Sequence, residues 1–147
     1  MRVREFLAVL FVVAIVALAL PGEAGAGPYC PTRDELITII AHKADVERGG
    51  RSASKWCIWQ IAERESGLNH CWPNGTVKVS VTNDRGGLQL NPGGVFLNCA
   101  VNPYCNRPDM IDDVFLQVDI MLNYFDRYGD LCPWNPTGNY MPGCGYY

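Results

Sequence analysis

The sequence predicts a mainly helical α+β domain with one small β-hairpin, braced by disulfides and preceded by a leader. Three observations carry this. Three stretches place apolar residues at helical spacing, one short stretch alternates strictly, and all seven cysteines lie downstream of an apolar N-terminal run.

The leader comes first. Arg2 and Arg4 give a positive start, Leu7 to Leu20 is unbroken apolar sequence, and Pro21-Gly22 ends it. Ala24-Gly25-Ala26 supplies the small residues that a signal peptidase needs, so residues 1–26 read as a secretory signal peptide. The apolar run falls short of the roughly 20 residues that span a bilayer, although an uncleaved anchor is the alternative. Cys30 follows Gly27-Pro28-Tyr29, not the small and aliphatic residues that precede a lipidated cysteine.

Residues 27–147 are long enough for one domain with one core. Thr32 with Glu35 fits a capping box at the start of a helix over 32–48, whose apolar positions are Leu36, Ile37, Ile39, Ile40 and Ala44. Ser52 or Ser54 caps a second helix that runs to Glu65 or Ser66 and stops at Gly67. From Thr76 to Thr82 the valines at 77, 79 and 81 alternate with Lys78, Ser80 and Thr82, which is strand periodicity. Asn83-Asp84-Arg85-Gly86 is a turn signal, and Gly87 to Leu90 is the return strand, with Leu88 and Leu90 on the valine face and Gln89 on the polar one. Asp109 caps a third helix to Tyr128, ended by Gly129, with Ile111, Val114, Phe115, Val118, Leu122 and Phe125 as its core stripe. Trp56 and Trp59 read as core, and His70 as an exposed loop residue.

Composition narrows the chemistry. Removing residues 1–26 takes away two arginines and two glutamates, so the net charge stays at −3. With no basic run or stripe, nucleic acid is not an expected partner. The mature chain is expected to act as a monomer, secreted or in the cell wall, without stable membrane anchoring. In an exported chain the cysteines read as a disulfide framework. Zinc would want CxxC or HxxxH spacing, and the only histidines, His42 and His70, stand far apart, so no metal or cofactor is expected. Seven cysteines leave one thiol over or paired with another molecule. Sequence leaves the pairing open, with Cys99–Cys105 and Cys132–Cys144 favoured as short loops. Asn74-Gly75-Thr76 is a glycosylation sequon.

Glu65 is the most informative position. Ile58, Ile61, Ala62 and Glu65 stand at i, i+3, i+4 and i+7, so the carboxyl falls on the apolar face of the second helix, in its last turn. Burial and the carbonyl end of a helix both disfavour a negative charge there. A carboxyl kept protonated near neutral pH is what a general acid for glycosidic cleavage must be. The alternative is a helix-end glutamate that reaches water or pairs with Arg64 or Arg85.

Arg64-Glu65-Ser66-Gly67-Leu68-Asn69, followed by Gly86-Gly87-Leu88-Gln89-Leu90, resembles the lysozyme-like superfamily. More narrowly, it resembles the soluble lytic transglycosylases and the resuscitation-promoting factors of bacteria; the Gly-Gly-Leu-Gln form is closer to the latter. The order of elements matches over roughly residues 55–140, but the motifs comprise only eleven residues. The resemblance implies a lysozyme-like fold and a peptidoglycan substrate, cut at the β-1,4 bond between N-acetylmuramic acid and N-acetylglucosamine. Glu65 would protonate the leaving oxygen and then, in a transglycosylase, take the proton of the muramyl 6-hydroxyl as an anhydro ring closes. A hydrolase would need a second carboxylate, about 5–5.5 Å away if retaining and roughly 6.5–9.5 Å if inverting. Asp84 is the candidate, although a turn aspartate is ordinarily a turn former. Gln89 and Ser80 on the hairpin, with Trp134, Tyr104, Trp72 and Tyr140 as stacking platforms, are the expected substrate contacts; core packing is the alternative for each aromatic.

The match has departures. His70-Cys71 stands where the transglycosylases have proline, and Trp134-Asn135 stands in place of their late Tyr-Asn motif. A non-catalytic glycan-binding module and a disulfide-rich interaction protein are the other classes compatible with the sequence.

Overall fold

The structure, a computed structural model, describes residues 28–49, 52–129, 131 and 134, without the side chains of 52–54. The leader lies outside the described residues, as do Cys132, Asn135, Tyr140 and Cys144. Among the described residues three helices gather around one core, and none is long and apolar enough to cross a membrane.

Helix α1, Arg33–His42, begins as the sequence predicts. The Glu35 amide donates to Thr32 Oγ1 at 3.3 Å and the Thr32 amide donates to Glu35 Oε2 at 2.7 Å, so both halves of the capping box form. Those bonds hold the Glu35 carboxyl below the usual carboxylate range, Thr32 backbone first. The expected continuation to residue 48 is not α-helical. Lys43–Glu47 widens into a π turn, which lets the largely buried Lys43 put Nζ 2.8 Å from Asp119 Oδ2 on α3. Arg48 then reaches Asp126 at 2.9 Å and Asn123 at 2.8 Å, fastening the end of this segment to the same helix.

Helix α2, Ser52–Ser66, has the expected span. Its core face is Cys57, Ile58, Ile61 and Ala62, all fully buried. Gly67 stops it in the left-handed region at φ +65°, and Leu68 follows at φ 60°. For leucine that conformation costs about 1–2 kcal/mol. It also turns the Leu68 side chain wholly into the core, where burial returns about 1.5–3 kcal/mol. Of the tryptophans expected in the core, Trp59 packs against it, but Trp56 lies half-exposed with its ring 4.9 Å from that of Trp59.

Helix α3, Val114–Tyr128, starts later than predicted. Asp109 sits in a short 3-10 turn, Pro108–Met110, and the cap is Asp113, whose carboxylate accepts from the amides of Phe115 and Leu116 at 2.9 and 3.1 Å. Val114, Val118 and Leu122 of the expected stripe are buried, Phe115 and Phe125 only partly, and Ile111 is buried ahead of the helix. Gly129 at φ +76° ends it, as expected.

The expected hairpin is the main correction to the α+β reading. Among the described residues 76–90 form no strands, only isolated bridges between Cys71 and Val77, Val79 and Arg85, and Arg85 and Leu90. Val77 is buried, but Val79 is exposed and Val81 fully so, so the alternating valines have no shared apolar face to cover. Residues 86–89 are a turn, not a return strand. Disulfides brace this irregular region. Cys30–Cys71 ties the chain before α1 to the loop after α2 across 41 residues, and Cys99–Cys105 closes the short loop that the sequence favours. Cys57 is disulfide-bonded too, and the favoured Cys132–Cys144 pairing lies outside the described residues.

Candidate functional site at the end of helix α2

The end of α2 meets the Gly-Gly-Leu-Gln turn through a single hydroxyl. Ser66 Oγ donates to the Gly87 carbonyl at 2.7 Å, and it also lies 2.9 Å from the Ala62 carbonyl one turn back. The two motifs are thus in contact. Around them stands a buried polar frame. His70, fully buried, accepts from the Gly87 amide through Nδ1 at 3.0 Å and donates from Nε2 to the Asp112 carbonyl at 2.9 Å. Burial pushes its imidazole below the ordinary histidine range, outweighing the Asp112 carbonyl and the charges of Asp112 and Asp113, which favour the cation. Gln117, also fully buried, donates to the carbonyls of Ile111 at 2.7 Å and Arg85 at 3.1 Å, and its Oε1 accepts from the Leu88 amide at 3.4 Å. Arg85 grips Asp112 with two bonds of 2.6 Å, which raises the guanidinium further above its usual value.

This frame explains the paired glycines physically. Gly86 has φ +75°, and a Cβ there would lie 2.5 Å from Gln117 Nε2 and 2.6 Å from His70 Cε1. His70 was expected to be exposed; instead it is the post on which the turn hangs. No sequence signal marks it, because its burial is made by residues 17 and 42 positions further along the chain.

Glu65 lies beside this contact but not fully buried. Its side chain is 30% exposed, and Oε1 accepts from Arg64 Nε at 2.9 Å and from Arg64 Nη2 at 2.5 Å. The side chain is thus partly buried, as its helical register predicts, and it forms the alternative pairing with Arg64. Arg64 Nη2 also donates to the Trp134 carbonyl. Trp134, expected as a stacking platform, is buried: its indole Nε1 donates to the Leu88 carbonyl at 2.9 Å and its ring meets Tyr124 edge-on at 5.6 Å.

The remaining predicted contacts fall apart into separate duties. Ser80 and Asp84 are together, but as a turn: Ser80 Oγ donates to Asp84 Oδ2 at 3.1 Å and accepts from the Asp84 amide at 3.0 Å. Asn91 donates to Asp84 Oδ1 at 2.8 Å, and Thr82 Oγ1 donates to its other oxygen. Burial pushes the Asp84 carboxyl up, and the hydrogen bonds from Thr82, Asn91 and Ser80 together hold it below the usual range. Gln89 folds back at φ 50° and donates from Nε2 to the Gly86 carbonyl at 2.6 Å, so one N–H of its amide is spent within the turn. Tyr104 is exposed in the Cys99–Cys105 loop, whose Val101 carbonyl accepts from Asn123 on α3 at 2.7 Å.

A cleft of about 430 Å³ opens at the end of α2, lined by Cys30, Pro31, Thr32, Asn69, Cys71, Trp72, Pro73 and Lys78. Lys78 Nζ donates to the Ser66 carbonyl at 3.0 Å, a cation at the carbonyl end of the helix, and lies 4.9 Å from the centre of the half-exposed Trp72 ring. Among the described residues no three His, Cys, Asp or Glu side chains converge in a way that could hold a metal ion. Set against protein-family models, characterised proteins and solved structures, the chain finds no match.

Proposed function

We propose that this chain is a secreted peptidoglycan-cleaving enzyme of lysozyme-like type, a lytic transglycosylase in which Glu65 is the acid and then the base. The observation that supports this best is the 2.7 Å hydrogen bond from Ser66 Oγ to the Gly87 carbonyl, which brings the Glu-Ser and Gly-Gly-Leu-Gln segments together with Glu65 at the surface beside them. In this chemistry the Glu65 proton goes to the glycosidic oxygen, the bond to the muramyl anomeric carbon breaks, and the 6-hydroxyl attacks that carbon. Glu65 then takes the hydroxyl proton and is restored. The ion pair with Arg64 is the arrangement of a carboxylate, so a bound glycan strand must draw Glu65 from Arg64 before it can serve as an acid. Asp84, held by Ser80, Thr82 and Asn91 within its own turn, gives little support to a hydrolase that needs a second carboxylate. The Cys30–Cys71 and Cys99–Cys105 disulfides fit a secreted chain.

The Arg64 pairing favours a second reading, a glycan-binding module without catalysis, in which Glu65 is only a helix-end ion pair. Products released from purified peptidoglycan, identified by mass spectrometry, separate the two. Anhydromuropeptides that vanish in Glu65→Gln support the transglycosylase, and reducing-end products mean a hydrolase. Binding without release means a module, and release undiminished in Glu65→Gln refutes the role given to Glu65.

A further inference from the structure

We propose that the cleft between Trp72, Asn69 and Lys78 is a saccharide subsite for a pyranose bearing a carboxylate, with the sugar ring stacked on the Trp72 indole and its acid group turned to Lys78. This deepens the peptidoglycan reading and rests on it for the choice of an acidic amino sugar, the muramyl residue of a strand whose peptide stem has been removed and whose lactyl carboxylate is free. Trp72 is half-exposed, although a tryptophan ring buries a large apolar area when it is covered. Pro31, Pro73 and the Cys30–Cys71 disulfide make the rest of the floor and walls rigid. Rigid walls lower the entropic cost of binding.

The polar groups at the rim match such a ligand in sign and number. Among the described residues that line the cleft, Lys78 is the only charged one. One of its three N–H groups is spent on the Ser66 carbonyl, leaving two to donate. Asn69 uses its Nδ2 on the carbonyls of Ser66 and Gly67, at 3.3 and 2.8 Å, which directs Oδ1 to accept from a hydroxyl or an acetamido N–H. Both side chains lean on Ser66, the residue after Glu65, so a strand held here passes the end of α2 where Glu65 stands.

Calorimetric titration of the disulfide-intact protein, expressed from the whole chain, tests this. The probes are a peptide-free tetrasaccharide alternating N-acetylglucosamine with N-acetylmuramic acid and the neutral N-acetylglucosamine tetramer, both in a Glu65→Gln background that prevents turnover. The acidic sugar should bind more tightly. Trp72→Ala should weaken both by about tenfold, and Trp72→Phe by much less. Lys78→Met should abolish the preference between them. Thermal midpoints of all variants verify that they fold. Binding by Trp72→Ala equal to that of the parent, a preference that survives Lys78→Met, or no binding of either sugar overturns the proposal. Peptidoglycan release by the Glu65-intact protein is scored separately, so an active enzyme whose sugar binding ignores Trp72 refutes the subsite alone. An inactive one whose binding follows Trp72 refutes the enzyme alone.

Discussion

Replacing Gly86 with alanine should remove about 3–5 kcal/mol of folding stability. The figure has three parts. The left-handed backbone at φ +75° costs an L-residue about 1 kcal/mol more than glycine. The new Cβ would stand 2.5 and 2.7 Å from the two amide ends of Gln117 and 2.6 Å from His70 Cε1, so one of these buried side chains must move. Overpacking of that kind costs roughly 1–3 kcal/mol. If Gln117 shifts, its bonds to Ile111, Arg85 and Leu88 loosen, and each buried group left unpaired adds about 1–3 kcal/mol before the protein relaxes. Gly87→Ala is the internal control: its φ is unremarkable, and its Cβ would meet the end of the Leu36 side chain at 3.0 Å and, at ordinary van der Waals distance, His70 Cα and Cβ at 3.5 and 3.7 Å, so the loss should stay under about 1.5 kcal/mol. Urea unfolding of the oxidised protein measures both. A loss for Gly86→Ala below about 1.5 kcal/mol, or equal losses for the pair, would refute the packing account of these glycines.

Two further outcomes follow from the same frame and its braces. His70 is held below the ordinary histidine range, so the unfolded chain takes up a proton near pH 6.5 that the folded chain resists; stability should be whole above that pH and fall as pH drops toward the folded-state value. Imidazole titration by NMR checks it, and a His70 ring that protonates at or above pH 6.5 is the contrary result. Replacing Cys30 and Cys71 together with serine frees a 41-residue separation in the unfolded chain and should cost about 4 kcal/mol by loop entropy; a loss under about 1 kcal/mol in denaturant melts would mean that the bond braces little.

The fold was legible where the determinants are local. Thr32 with Glu35, the apolar face of α2 and the glycines at 67 and 129 act within one or two turns of chain, and the structure has each of them in place. The start of α3 was misplaced because Asp109 and Asp113 both offer a cap, and Pro108 beside the first favours a tight 3-10 turn. The hairpin failed for a tertiary reason. Alternation predicts a strand only if one face finds a core, and here Ser80, Thr82, Asp84 and Asn91 knot the segment through side chains while Val79 and Val81 face water. The candidate site was half legible. Its two motifs could be seen as short strings, and they do touch. That Glu65 would pair with Arg64, that Trp134 would be buried and that His70 would hold Gly87 are facts of packing between distant segments.

The contacts of Trp134 also bear on how this protein can be made. Its indole closes on the Leu88 carbonyl and its own carbonyl receives Arg64, so the surroundings of Glu65 include a residue synthesised 69 positions after it. A chain emerging N-terminus first can wind α1 and α2 early, but the motif turn lacks its Trp134 partner until the chain has grown past that residue. Any fragment cut at residue 130 would keep α1, α2 and α3 and still lose the Trp134 contacts to Leu88 and Tyr124. The packing around Glu65 is therefore completed only after a segment well beyond the motif turn has been made.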